Sequence, residues 1–246
     1  MKALVGDIGN TVTKICLFEV KTLKIKKIIY FNSTIITSIH LLKKNLKKII
    51  ENKNIYKIAL FSSVVPKYQF ILSKYLKKIY KIKLREIKEK NIKKIIKINI
   101  KNKNQVGSDR IANAVGVYKK YKLNCIVLDF GTATTFDVVT KNGIYNGGII
   151  APGVKLSMQS LARTADQIPL FSIKKQKKII GKNTIEALRS GFYWGYIGLI
   201  NGIILKIEKE TKKKYKIIFT GGYANLFATS IIRTFAIDNN ITIKGI

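Results

Sequence analysis

The sequence predicts an α/β fold of two similar lobes around a cleft. An apolar strand followed by Asp-x-Gly and a hydroxyl or amide residue occurs twice, once around Asp7 and again around Asp129. Each copy lies in a run of three strands that precedes helices, so the two halves share one order of elements. No Pro-, Gly- or Ser-rich linker separates the halves, which favours close packing around the cleft.

The first half begins with three strands joined by turns at Gly9-Asn10 and Lys21-Thr22. Its helices have apolar residues at helical spacing with lysines elsewhere, and Pro66 suits the first turn of the second helix. The predicted strands are 3–6, 12–18, 23–30, 57–65, 82–87 and 95–100. The predicted helices are 39–50 and 67–80.

The second half repeats that order after a linking helix at 107–121, with the sequence GSDRIANAVGVYKKY. The lobes are predicted at 1–108 and 109–246, with the last roughly 15 residues packing back on the first lobe. The predicted strands of the second half are 126–129, 134–140, 144–150 and 216–222. Its predicted helices are 154–165, 184–211 and one that begins near Tyr223.

The repeated hairpin is suited to binding phosphate. Gly9 and Gly131 are expected to permit a positive φ and to let another group approach the backbone N–H donors. Nearby side chains add further hydrogen-bonding groups: Asn10, Thr11, Thr13, Thr132 and Thr134. Asp7 and Asp129 would repel a phosphate unless a cation lay between, and Mg²⁺ commonly takes one or two carboxylates together with nucleotide phosphates. The pattern predicts a metal–nucleotide site, although each Asp could instead only begin a turn.

The linking helix carries an acid in its first turn, Asp109, followed by Arg110. The helix dipole favours an acid there, so N-terminal capping is one interpretation. A cation at this end is mildly unfavourable, and an anionic ligand or an ion pair would offset that cost. If the protein binds ATP, Asp109 could accept a proton from a substrate hydroxyl, and Arg110 could bind a carboxylate of the same substrate.

A third glycine turn, TGGYANL at 220–226, lies between a predicted strand and a helix. Gly221 and Gly222 would let a flat group such as adenine lie on the backbone, and a plain turn after a strand is equally compatible with the sequence.

Other catalytic motifs do not fit. GKNT at 181–184 has Asn183 where a P-loop requires Ser or Thr, and Gln176 stands where the first Gly is required. The sequence has no GxSxG elbow, and its only histidine, His40, lies at the start of the Lys-rich helix predicted at 39–50. These features argue against a hydrolytic triad.

The net charge of +34 permits binding to nucleic acid. The excess lysine, however, is spread along the chain together with Ile and Asn, residues that A/T-rich codons all encode. Helix-turn-helix and zinc-finger spacings do not occur. We therefore expect nucleic acid to bind only non-specifically, if at all.

The location expected for this protein is the cytoplasm. No run of 18 apolar residues predicts a membrane span, and the apolar stretch near the start is too short for a secretory signal. Cys16 and Cys125 lie in apolar runs without a CxxC motif, which predicts reduced core thiols.

Taken together, the motifs resemble those of the type III pantothenate kinases over nearly the whole chain. DIGNT at 7–11 is similar to the first phosphate motif of that family, GSDRIAN at 107–113 to its G-x-D-R motif, and DFGTATTFD at 129–137 to its second phosphate motif. GGIIAPG, LARTADQIP, GKNTIEALRSG, TGGYANL and DNNITIKGI follow in family order. The resemblance implies the duplicated actin-like ATPase fold, also called RNase H-like, in which each lobe is a mixed sheet with flanking helices. It also implies ATP-dependent phosphorylation of pantothenate to 4′-phosphopantothenate, the first step of coenzyme A biosynthesis.

The resemblance also implies roles for single residues. Asp109 would be the catalytic proton acceptor, and Asp129 would bind a monovalent cation, K⁺ or NH₄⁺. Asp7 would hold Mg²⁺ through the ATP phosphates or water. The substrate-binding residues would be Gly107, Ser108, Asp109, Arg110 and Thr184. The nucleotide-binding residues would be Asp7, Ile8, Gly9, Asn10, Thr11, Val12, Thr13, Lys14 and Thr132, to which the turn adds Gly221 and Gly222.

A homodimer is implied as well, in which Thr184 contacts the substrate of the other subunit. Trp194 and the glycine-spaced helix that follows Thr184 would then pack at the subunit interface, and a buried core helix explains their pattern equally well. Two positions depart from the family pattern: Ile100 replaces a usual aromatic residue, and Lys103 replaces a frequent proline. Two other functions stay open, a regulator of the same fold that binds nucleic acid and a sugar or acetate kinase.

Overall fold

The computed structural model describes residues 1–22, 24–50, 55–89, 94–231 and 233–246. The chain divides into two compact units, Met1–Lys119 with Asn240–Ile246, and Lys120–Asn239. The predicted lobe boundary after Ser108 falls at the start of a helix, whereas the two units divide near the end of that same helix.

The first unit is built on a mixed sheet in the order β3-β2-β1-β4-β5. The hairpin strand β2 is antiparallel to β1 and β3, whereas β4 is parallel to both β1 and β5. The strands are β1 Lys2–Ile8, β2 Val12–Glu19, β3 Lys24–Asn32, β4 Ile58–Ser63 and β5 Lys83–Glu86, followed by the short β6 Lys97–Ile98. The helices are α1 Ile39–Lys47, α2 Pro66–Tyr75, α3 Ser108–Tyr121 (whose last two residues lie in the second unit) and α7 Ile241–Gly245.

These elements confirm most of the predicted order. The predicted helix at 67–80 continues past α2 as a π-helical turn, Leu76–Tyr80. The predicted strand at 95–100 is reduced to two residues, and the predicted helix at 39–50 ends at Lys47. Leu23, which the sequence places at the start of the third strand, lies outside the described residues.

The two faces of the first sheet are covered differently. One face packs against α1 and α2, and its core includes the fully buried Leu4, Leu42 and Leu72. On the other face Val5 and Cys16 contact Ile243 of α7. The C-terminal helix α7 also contacts α3, because Thr242 Oγ1 donates to Asn113 Oδ1 at 2.7 Å.

The second unit contains a sheet in the order β11-β10-β7-β8-β9. Its strands are β7 Cys125–Phe130, β8 Ala133–Val139, β9 Ile144–Pro152, β10 Lys216–Gly221 and β11 Phe235–Ile237. Its helices are α4 Val154–Thr164, α5 Thr184–Thr211 and α6 Ala224–Ala228. The core between sheet and helices combines aliphatic and aromatic side chains, and Phe130 stacks on Phe219 and Phe227.

The two sheets share one topology. In each unit the first three strands, β1–β2–β3 or β7–β8–β9, are antiparallel to their neighbours. Two further strands, parallel to the first, then follow on its other side. This correspondence confirms the duplicated α/β fold that the sequence predicts. It also makes β7 the counterpart of β1, and β10 the counterpart of β4.

Candidate functional site

The first predicted phosphate motif lies on the hairpin between β1 and β2. Asp7 is the second-to-last residue of β1, and Gly9 N–H donates to the Val12 carbonyl at 3.1 Å to close the loop. Asn10 and Thr11 at the tip are exposed. A Cβ atom on Gly9 would lie 2.9 Å from the Val12 carbonyl oxygen, so this close approach requires glycine.

Two buried hydroxyls support this hairpin from behind. Thr13 Oγ1 and Ser33 Oγ are hydrogen-bonded at 2.9 Å, and both side chains are fully buried. Ser33 Oγ also donates to the Gly9 carbonyl at 2.7 Å, and Ser33 N–H donates to the Thr11 carbonyl at 2.9 Å. The hydroxyl of Thr13 therefore holds the hairpin in shape instead of facing solvent.

The G-x-D-R motif lies beside this hairpin in the same unit. Ser108 Oγ donates to the Ser63 carbonyl at 2.9 Å, at the end of β4. Ser63 is in register with Ile8 of β1, and Asp7 is in register with Ser62. The start of α3 is thereby anchored next to the carboxyl end of β1, so the structure brings Gly107 to Arg110 close to the Asp7 hairpin.

Asp109 is half-buried in the first turn of α3. Its Oδ1 accepts a hydrogen bond from the backbone N–H of Arg110 at 2.8 Å. A Cβ atom on Gly107 would collide with Asp109 Oδ1, so the glycine makes room for the carboxylate. The first turn of a helix is a favourable position for an acidic side chain.

The second phosphate motif forms the equivalent hairpin of the second unit. Gly131 N–H donates to the Ala133 carbonyl at 3.1 Å. Phe130 pairs with Thr134 here, where Ile8 pairs with Thr13 in the first hairpin, so the second loop is one residue shorter. Thr132 at its tip is exposed.

The TGG turn packs against this second hairpin. Gly222 N–H donates to the Phe130 carbonyl at 3.1 Å, and a Cβ atom on Gly221 would lie 2.6 Å from the same oxygen. Gly221 has φ of 87°, which favours glycine. Neither Gly9 nor Gly131 has a positive φ, so that expectation was wrong. A close backbone approach requires glycine at Gly9, whereas a Cβ atom on Gly131 would make an ordinary contact, 3.6 Å from the Ala133 carbonyl oxygen. The left-handed turn occurs at Gly221.

Thr184 is the first residue of α5 and is exposed. Asn183 Oδ1 accepts from Glu186 N–H and Glu186 Oε2 accepts from Lys182 N–H, both at 2.9 Å, so the helix start is well capped. Thr184 lines an open groove of about 880 Å³. Apolar and glycine residues form much of the rest of its lining, among them Leu188, Gly191, Phe192, Gly195 and Leu199.

The long helix α5 has two different faces. Tyr193, Ile197 and Ile200 are buried in the core of the second unit, and Trp194 packs against that core from its edge. The glycines lie on the other side, where an added Cβ would meet no described atom within 4 Å: Gly191, Gly195, Gly198 and Gly202. The helix therefore serves the core with one face and leaves a glycine face open.

Two buried hydroxyls beside the acids were missed by sequence reasoning. Ser62 on β4 is in register with Asp7, and Thr220 on β10 is in register with Asp129. Both side chains are at most 1% exposed, and neither hydroxyl has a hydrogen-bond partner in the part of the chain that the structure describes. Carboxylate and hydroxyl oxygens are donors that hard cations accept, so the residues beside both acids fit a cation.

The remaining candidate groups have structural roles. Burial raises the pKa of both the Cys16 and the Cys125 thiol to about 12, so these thiols stay neutral in the core.

Within the described ranges, no group of three or more His, Cys, Asp or Glu side chains could hold a metal ion. Among the same residues, no helix is long and apolar enough to cross a membrane.

Comparisons with known proteins agree with the motifs. A family model described as type III pantothenate kinase matches residues 3–206. A type III pantothenate kinase from Pelagibacter ubique is 51% identical, over 99% of this chain and 96% of that protein. One from Sulfurihydrogenibium sp. is 40% identical, over 99% of this chain and 97% of that protein.

Two solved structures show a similar fold. A protein described as a Baf family transcriptional activator from Campylobacter jejuni has a TM-score of 0.61 at 20% identity, over 98% of this chain and 94% of that one. A protein described as an N-acetylmannosamine kinase from Listeria monocytogenes has a TM-score of 0.52 at 15% identity, over 100% of this chain and 97% of that one. At these identities the likeness concerns the fold.

Proposed function

The chain belongs to the type III pantothenate kinase family, and from this premise we propose that it phosphorylates pantothenate with ATP. The product is 4′-phosphopantothenate, and the reaction is the first step of coenzyme A biosynthesis, which is a cytoplasmic process. One observation carries the proposal furthest. The hydrogen bond from Ser108 to the Ser63 carbonyl holds the acid of α3 beside the Asp7 hairpin, as a kinase requires of its base and its phosphate site.

In the proposed reaction Asp109 accepts the proton of the terminal hydroxyl of pantothenate. The hydroxyl oxygen forms a bond to the γ-phosphorus while the bond from that phosphorus to the bridging oxygen breaks, and ADP leaves with the electron pair. Arg110 binds the carboxylate of pantothenate, and Gly107 and Ser108 complete the substrate site.

The nucleotide is held by backbone and side-chain groups of the hairpins. The first hairpin contributes residues 7–14, from Asp7 through Lys14, and its support by Thr13 and Ser33 fixes the N–H donors in advance. Thr132 contacts ATP from the second hairpin. Gly221 and Gly222 provide a turn without side chains on which adenine can lie.

Two cations complete the proposed site. Asp7 would hold Mg²⁺ through the phosphates or water, and Asp129 would hold K⁺ or NH₄⁺. Bound there, these cations would neutralise charge that develops on the phosphates during transfer. The buried hydroxyls of Ser62 and Thr220 support this assignment, because each lies next to one of the two acids.

We propose a homodimer in which Thr184 contacts the substrate of the other subunit. The apolar groove along α5 and its open glycine face support an interface there, since exposed apolar grooves of this kind commonly mark contact sites. The same surface would bring Thr184 to a partner chain.

A substrate panel tests the proposed function. The protein is incubated with ATP, Mg²⁺ and KCl, and ADP release is measured with pantothenate, acetate or a hexose. We expect ADP release with pantothenate and none with acetate or a hexose. Release with acetate or a hexose and none with pantothenate would support the alternative kinase.

A regulator that binds nucleic acid is the second candidate, favoured by the net charge of +34. It requires sequence-specific binding at physiological salt. We expect only weak binding that falls steeply with salt, the behaviour of a basic surface.

A further inference from the structure

Asp7 and Asp129 occupy equivalent positions in the two sheets. Each acid, together with its register partners on the two neighbouring strands, is called a row below. On the first sheet Asp7 has Lys14 as its register partner on β2 and Ser62 on β4. On the second sheet Asp129 has Thr135 on β8 and Thr220 on β10. Register partners on neighbouring strands extend their side chains from the same face, within reach of one another. Each acid is therefore flanked by a polar or charged side chain on both neighbouring strands.

The hydroxyl on the parallel strand is the shared feature. Thr220 is 1% exposed and Ser62 is fully buried, and neither Oγ has a hydrogen-bond partner among the described residues. A buried hydroxyl without a partner is unfavourable, so such groups call for a ligand or a water. Its recurrence at the counterpart position of a duplicated sheet indicates a common role beside the acid.

The residue on the antiparallel strand is where the rows differ. Opposite Asp7 the chain supplies the ammonium group of Lys14, and opposite Asp129 it supplies the neutral hydroxyl of Thr135. A phosphate bound next to a carboxylate needs a positive charge nearby. The first row contains that charge in the chain itself, next to one hydroxyl, whereas the second row has no ammonium group and offers two hydroxyl oxygens, which are ligands for a hard cation.

We propose that Thr135 and Thr220 bind the monovalent cation together with Asp129. The cation supplies positive charge beside Asp129, as the Lys14 ammonium does beside Asp7. Thr135 and Thr220 therefore determine how strongly the protein depends on the cation. The inference rests on the proposed function, which assigns the cation to Asp129, and it extends that assignment to residues on both neighbouring strands.

An ordinary strand explains threonine at both positions too, because β-branched residues favour sheets. The two accounts differ in what a substitution changes. If Thr220 has only a structural role, replacing its unpartnered hydroxyl by a methyl group should leave the response to K⁺ unchanged. If it is a ligand, the same replacement weakens cation binding selectively.

The first experiment compares Thr220→Val with Thr220→Ser in the full chain. Binding of a non-hydrolysable ATP analogue with Mg²⁺ is measured by calorimetry as KCl replaces choline chloride at constant ionic strength. We expect the KCl concentration for half-maximal tightening to rise about tenfold or more in Thr220→Val, the range for losing a group that supports a metal site. Thr220→Ser, which keeps the hydroxyl, should stay close to the wild type.

A matched control is Thr211→Val at the end of α5, where Oγ1 donates to the Ile207 carbonyl at 2.7 Å. It should leave the K⁺ constant unchanged. A Thr220→Val protein that is folded and retains the wild-type K⁺ constant would overturn the proposed ligand role of this residue.

The second experiment uses Thr135→Lys, which places an ammonium group in the second row as in the first. We expect its binding of the ATP analogue in choline chloride to approach the K⁺-saturated wild-type value and to respond little to added KCl. A folded Thr135→Lys variant that still needs K⁺ as the wild type does would contradict the proposed equivalence with Lys14. If this variant does not fold, Thr220→Val and Thr220→Ser still decide the ligand role.

Failure of this inference differs from failure of the proposed function. A wild type that phosphorylates pantothenate with no response to K⁺ or NH₄⁺ would remove the cation from the function, and the inference with it. A wild type that responds to K⁺, with variants that respond identically, would refute the inference alone.

Discussion

The hydroxyl of Ser108 donates to the backbone carbonyl of Ser63 at 2.9 Å, and this bond joins the start of α3 to the end of β4. Ser108 is 2% exposed, so the bond is shielded from water. Through it the helix that carries Asp109 is positioned next to the strand that carries Asp7.

Replacing Ser108 by Ala should remove this anchor. We expect the free energy of unfolding to fall by about 1–3 kcal/mol, because the Ser63 carbonyl loses its buried donor. Turnover should fall as well, since Asp109 is then less well positioned. Denaturant unfolding and steady-state kinetics check both effects. A Ser108→Ala protein with the wild-type kcat and free energy of unfolding would show that this hydrogen bond does not position α3.

Replacing Thr13 by Val should disturb the first hairpin from behind. The Ser33 hydroxyl loses its partner at 2.9 Å, and the loop that accepts its other bond becomes less fixed. We expect KM for ATP to rise several-fold, with a smaller change in KM for pantothenate. An equal rise in both constants would point to a general loss of structure.

Gly221 and its neighbour offer a matched pair of variants. Gly221→Ala should destabilise the second unit by about 1–3 kcal/mol, because φ is 87° and a Cβ would lie 2.6 Å from the Phe130 backbone. In Gly222→Ala the new Cβ would lie 4.0 Å from the nearest described atom, so unfolding should change much less. Equal thermal shifts for the two variants would contradict this account of the turn.

Gly195→Leu tests the proposed interface on α5. A larger side chain fits in this chain alone, since an added Cβ meets no described atom within 4 Å, but it would obstruct a partner at the groove. We expect a folded monomer by light scattering after gel filtration, with reduced activity. A wild type that is monomeric, or a Gly195→Leu dimer of full activity, would refute the interface.

Much of the fold could be predicted because long periodic segments determine it. The helix at 184–211 has the predicted limits, since Asn183 and Glu186 cap its start and apolar residues continue along it. The elements that were missed, β11 and α7, contain three and five residues. Segments this short form only because tertiary packing stabilises them, and local sequence does not contain that information.

The site divides in the same way. Asp7, Asp109 and Asp129 are recognisable because each belongs to a local motif. Ser62 and Thr220 have no motif of their own, and their position beside an acid depends on pairing with a strand far away in the sequence. Aligning β4 with its counterpart β10 could have identified both hydroxyls.

The central claim is that Asp109 takes the proton from pantothenate during phosphoryl transfer. It is tested most directly by comparing the wild type with Asp109→Asn in the presence of ATP, Mg²⁺, KCl and pantothenate, with the product identified by mass spectrometry. We predict 4′-phosphopantothenate from the wild type and a kcat lower by about 10²-fold or more in Asp109→Asn, with ATP binding retained. Near-wild-type turnover by Asp109→Asn would remove Asp109 from this role, and no 4′-phosphopantothenate from the wild type at any cation composition would contradict the function itself.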